Sequence, residues 1–152
     1  MKRVEVKLNL DAVAPLLDVI KSAADRLGPR LAVAPQVPEH DAEFAEAWKR
    51  ELLAAQQSDV GMLLGLFGAD FFASGVIGLD PTNSEAILRA SAAIRLELRE
   101  RHLKDLEDES LESGEIDVEA LPEATQRAFA AYVFLATLQE VIVQHLDPTV
   151  ME

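Results

Sequence analysis

The chain has 152 residues, 49% of them hydrophobic and 27% charged, with a formal net charge of −13. This length suits a single domain with a proper core, and the composition is too apolar for intrinsic disorder. The acidity argues against nucleic acid and polybasic membrane contacts, which need clustered Lys and Arg, and the absence of cysteine excludes disulfides, zinc–thiolate sites and thiol catalysis.

The N-terminus, MKRVEVKLNLD, has a basic pair but no apolar core of a signal peptide. Instead Val4, Val6, Leu8 and Leu10 alternate with polar residues, which predicts a short strand with one buried face. The period then changes. Val13, Leu16, Leu17, Ile20, Ala24 and Leu27 form one helical stripe, with Asp11 as N-cap and Gly28–Pro29 as a left-handed cap and stop.

Three prolines between 29 and 39 predict a loop. A second helix is expected from about Asp41 to Gln57, with Phe44, Trp48 and Leu52 spaced by four. Ser58 or Asp59 is the expected cap of a third, shorter helix that ends near Gly68, followed by Phe71 and Phe72 in a turn or short helix. Gly75 to Leu79 reads as a second strand. A lone short strand is unstable, so the two strands should pair, in a direction the sequence leaves open.

Asp80 followed by Pro81 is a strong helix start, and the fourth helix should reach about Asp105, roughly 36 Å by rise per residue. Ile87, Ile94 and Leu98 mark one face, which Leu88, Leu96 and Leu103 widen. Glu97, Arg99, Glu100, Arg101 and Lys104 are expected on an exposed, mixed-charge face. Residues 105–119 hold eight acids and no helical stripe, which predicts a solvated acidic loop or a docking segment for a basic surface. Pro122 opens the last helix, to about Leu146. It is so apolar that it is expected in the middle of a bundle or in an interface. Its longest apolar run, Ala128 to Ala136, is shorter than the roughly 20 residues of a bilayer span. A cytoplasmic protein without membrane contact is expected.

No constellation of residues announces chemistry. His40, His102 and His145 lack the Glu-x-x-His spacing of a carboxylate-bridged metal bundle, since Arg99 and Ile142 stand three residues before the last two; they read as surface or helix-end histidines. No serine lies in a G-x-S-x-G elbow, and Gly61, Gly65 and Gly68 have no following Lys to make a phosphate cradle. No catalytic, cofactor or metal residue is therefore assigned. Two constellations are candidates. Arg95 and Glu140 each sit among apolar neighbours, and a buried charge needs a partner, so they are expected to form a buried ion pair, with Gln139 nearby. Trp48, Phe67, Phe71 and Phe72 either fill the core or line an interhelical pocket.

The order of these elements, with Leu10–Asp11, Leu79–Asp80, Ile94–Arg95–Leu96 and the closing set Tyr132, Leu135, Leu138, Gln139 and Glu140, resembles a bacterial domain of unknown function, DUF2017. The resemblance spans most of the chain. Where the family often has an Asn-Asp pair, this chain has Ala92–Ala93. The resemblance implies no reaction. Its members are often encoded near a Clp-protease adaptor, which implies a link to proteolysis control.

The fold expected is mainly α: a bundle of about five helices with a minor two-stranded β ribbon, whose last two helices form the central antiparallel pair. The function expected is a non-enzymatic interaction or regulatory domain, plausibly a homodimer through the last helix. The alternative is a small-molecule sensor or enzyme with an interhelical pocket.

Overall fold

Period-two alternation over Val4–Lys7 forms β1, and the apolar stretch Val76–Leu79 forms β2. The two pair antiparallel, with Val4 opposite Leu79 and Val6 opposite Ile77. Ile77 and Leu79 are buried, so the ribbon lays one face on the helices. The computed structural model describes residues 3–33, 41–104, 106 and 117–146. His40 and most of the predicted acidic loop lie outside these; at the end of that loop Val118–Ala120 make one turn of 3-10 helix.

The fold is mainly α with this minor ribbon. α1 spans Leu10–Leu27, α2 Ala42–Gly65, α3 Ala69–Ser74, α4 Ser84–His102 and α5 Glu123–Leu146. The caps differ from those the sequence suggests. Asn9 caps α1, its side-chain carbonyl accepting from the backbone N–H of Asp11 and Ala12. Gly28 closes α1 in a right-handed conformation, not a left-handed one. Asp80 and Pro81 form a turn ahead of α4. There Asp80 Oδ1 accepts from the backbone N–H of Thr82 and Asn83, and the helix starts at Ser84.

The predicted second and third helices are one. α2 runs through Ser58–Asp59 because Asp59 is engaged from its side by Arg89 of α4. A tertiary ion pair thus overrides a residue that favours helix ends. The turn at Phe71–Phe72 is α3, closed by Gly75 at φ +75°. A Cβ on Gly75 would lie 3.0 Å from the Leu8 carbonyl oxygen, so glycine is needed there both for its backbone angle and for its lack of side chain.

α4 is the hub and packs against α1, α2 and α5. Its small residues Ala86, Ala90 and Ala93 let neighbours approach, and Ile87, Ile94 and Leu98 are fully buried, contributing about 2 kcal/mol each by apolar burial. α5, expected in the middle, packs against α4 and α1 and leaves one face open. It buries Ala128, Ala131, Leu135, Leu138 and Ile142, but Ala130, Val133, Thr137, Glu140 and Gln144 make an exposed stripe in steps of three and four. By length and composition α5 also meets the test for a membrane-crossing helix, a test that core helices of soluble proteins pass too.

Candidate functional site: the α2 arm and its groove

Asp41 starts α2 by accepting the backbone N–H of Phe44 at 2.9 Å. From Ala42 to Ala55 no residue is buried and only Ala45 and Leu53 are half-buried, so this half of the helix forms an exposed arm. Phe44, Trp48 and Leu52 recur every fourth residue on one side of it and are 45%, 42% and 36% exposed. The Phe44 and Trp48 rings touch, with centroids 5.6 Å apart. A free helix of this length is marginal in water, and an exposed stripe of large apolar side chains marks a binding surface.

At Leu52 the arm runs into a groove of about 490 Å³ between α2, α4 and residues 31–33, which follow α1. Leu31, Val33, Leu52, Ala55, Ala93 and Leu96 give it an apolar lining. Gln56 fixes one wall: its amide donates to the Arg30 carbonyl at 2.9 Å and its oxygen accepts from the Ala32 N–H at 2.9 Å. Asp59 and Arg89 close the floor with hydrogen bonds at 2.8 and 3.0 Å, which hold the Arg89 guanidinium above its ordinary pKa.

Arg95 does not meet Glu140. Its Nη1 donates to Gln139 Oε1 at 2.7 Å, its guanidinium lies 4.4 Å from the centre of the Tyr132 ring, and Gln139 in turn donates to the Leu88 carbonyl at 3.0 Å. Glu140 is on the wet stripe of α5 and accepts from Gln144 at 3.0 Å. One residue along a helix turns the side chain by about 100°, which is the whole difference between a buried partner and an exposed one.

The four aromatics do not form one pocket. Phe67 (8% exposed) and Phe71 (1%) are core, packed edge to face at 5.2 Å, and Phe67 also meets Phe134 of α5. Phe72 is on the surface, and Trp48 lies nearly the length of α2 away, on the arm.

The most deeply buried charge among the described residues is Glu97, which sequence reasoning set on the exposed face. It is 3% exposed and accepts from Arg26 Nε at 2.9 Å and from Arg30, with Arg101 at 3.6 Å. Burial pushes its carboxyl pKa up, but the hydrogen bonds from Arg26 and Arg30 outweigh that and hold it below the ordinary range. The signal was present: Glu97 follows Ile94 by three and Ala93 by four, so it shares their buried side. His102, beside this cluster, is depressed by burial and then by Arg26 and Arg101, and so favours its neutral form. Among the described residues no group of three His, Cys, Asp or Glu side chains has the arrangement to hold a metal.

The family model for the domain of unknown function DUF2017 matches residues 9–146. The chain belongs to that family. No curated protein and no solved structure matches it. The DUF2017 match runs from the Asn9 cap to Leu146, the last residue of α5, and so takes in the arm, the groove and the Glu97 cluster. The family's description names no activity.

Proposed function

We propose that the protein is a non-catalytic interaction domain that binds an amphipathic protein segment along the α2 arm and in the α2–α4 groove. The exposed stripe Phe44–Trp48–Leu52, continuous with the groove, carries this reading. A helix laid in such a groove is read through apolar side chains at three- and four-residue spacing, and a tryptophan is a common anchor. The resemblance to a family encoded near a Clp-protease adaptor suggests control of proteolysis as the process served.

Selection from a phage-displayed peptide library tests the reading. Enriched peptides should carry apolar residues at that spacing and should lose at least tenfold in affinity for Leu52→Asp and Leu96→Asp. Both positions are surface positions, so these variants should keep the wild-type circular dichroism. Peptides that bind both variants as well as wild type would sink the proposal, as would a library that yields none.

The groove volume favours a second reading, a small apolar ligand, since ligand pockets run from about 300 to 1,000 Å³. A metabolite retained in native mass spectrometry by wild type but not by Leu96→Asp would replace the peptide with that ligand.

A further inference from the structure

The geometry points to a second copy of this chain as the occupant of the arm and groove, an inference that rests on the docking reading above. One chain carries both an uncovered apolar ridge, Phe44–Trp48, and an uncovered apolar groove, and Leu52 belongs to both. A two-fold interface requires this self-complementarity, because each copy must offer the surface that the other accepts.

The spacing fits. With a two-fold axis beside Leu52 and two α2 helices running antiparallel, a residue four before Leu52 meets the residue four after it. Trp48 of one copy then lies against Gln56 of the other, about 6 Å along the helix from the axis. Gln56 lines the groove together with Leu52, Ala55 and Asp59, so the indole falls on the apolar lining and Phe44 follows one turn further on. The ten residues Ala42 to Glu51 extend about 15 Å past the axis, long enough to lie along the partner's groove.

Charge favours the same face. Two copies of a chain at −13 repel each other over most of their surface. Here Arg89 neutralises Asp59, and Lys49 and Arg50 offset two of the four acids of the arm, Asp41, Glu43, Glu46 and Glu51, so only a small share of the excess acidity lies on the contact.

Trp48 is the only tryptophan and the chain has no cysteine, which gives two clean probes. Light scattering and sedimentation should give twice the chain mass at micromolar concentration. Trp48 emission should shift to longer wavelength on dilution, as dimers part. Leu52→Cys should form a disulfide-linked dimer under mild oxidation, whereas Lys21→Cys on the exposed side of α1 should not. Leu52→Asp should weaken self-association at least tenfold while keeping the fold.

A chain that stays monomeric, with the emission of a water-exposed indole at every concentration, overturns the inference. So does a dimer of undiminished affinity in Leu52→Asp. If selected peptides still bind a monomeric protein at the groove, the docking reading survives and only the second copy is lost. If neither peptides nor a second copy bind, both fail.

Discussion

Arg89 on α4 grips Asp59 on α2 through two hydrogen bonds, Nε to Oδ2 at 2.8 Å and Nη2 to Oδ1 at 3.0 Å. The pair is lopsided: the Asp59 side chain is 12% exposed and that of Arg89 is 61%.

The lopsidedness predicts unequal effects. Arg89→Ala strands a mostly buried carboxylate and should cost about 2 kcal/mol. Asp59→Ala releases an arginine that water can solvate and puts a strong helix former mid-helix, so it should cost under about 1 kcal/mol. Urea denaturation of both variants checks the order; equal losses would mean that Asp59 is better solvated than its surroundings imply.

The two neighbours on α5 should separate as clearly. Gln139→Ala removes the acceptor of Arg95 and the donor to the Leu88 carbonyl, and should cost about 1–2 kcal/mol. Glu140→Ala alters an exposed position and should stay within about 0.5 kcal/mol. Thermal melts at neutral pH decide between them.

Glu97 should make the fold acid-sensitive. Its pKa is lower folded than unfolded, so its contribution is fully present above the unfolded value near 4.5 and is lost as pH falls through the folded value. Glu97→Gln should lower stability at pH 7 by about 3 kcal/mol, because three arginines lose their counter-charge, and the gap from wild type should close as pH drops below 4.5. A constant gap down to pH 2 would show that the carboxylate is not the source.

Gly75→Ala should destabilise by about 1–2 kcal/mol, combining an unfavourable left-handed backbone with a Cβ pressed against the Leu8 carbonyl. Gly61→Ala, where a Cβ meets nothing within 4 Å in mid-helix, should instead be neutral or stabilising. Melting temperatures measured side by side test the contrast.

The architecture was legible where the pattern is local. Alternation located the first strand and a short apolar run the second, and the stripes of α1, α4 and α5 appear close to where periodicity sets them. What failed depended on neighbours that periodicity does not see. Ser58–Asp59 looks like a helix start until Arg89 is known to reach it from α4. Glu97 looks like one more surface acid until Arg26 and Arg30, some seventy residues away in sequence, are seen to converge on it. Trp48 looks like core because large aromatics usually are, and only the packing shows that it is 42% exposed. Arg95 among apolar residues announces its need of a partner, and of the two neighbours expected there, Glu140 and Gln139, it is Gln139 that faces it.

α1 precedes α4 and α5 in the chain and packs against both, and α5 is complete only at Leu146. Between synthesis of Leu27 and of Leu146 the ribosome adds 119 residues, on the order of ten seconds at ordinary translation speeds. Throughout that interval Val13, Ile20, Ala23 and Leu27 have no finished surface to rest on. A chain interrupted before α5 therefore keeps part of the apolar face of α1 open to water.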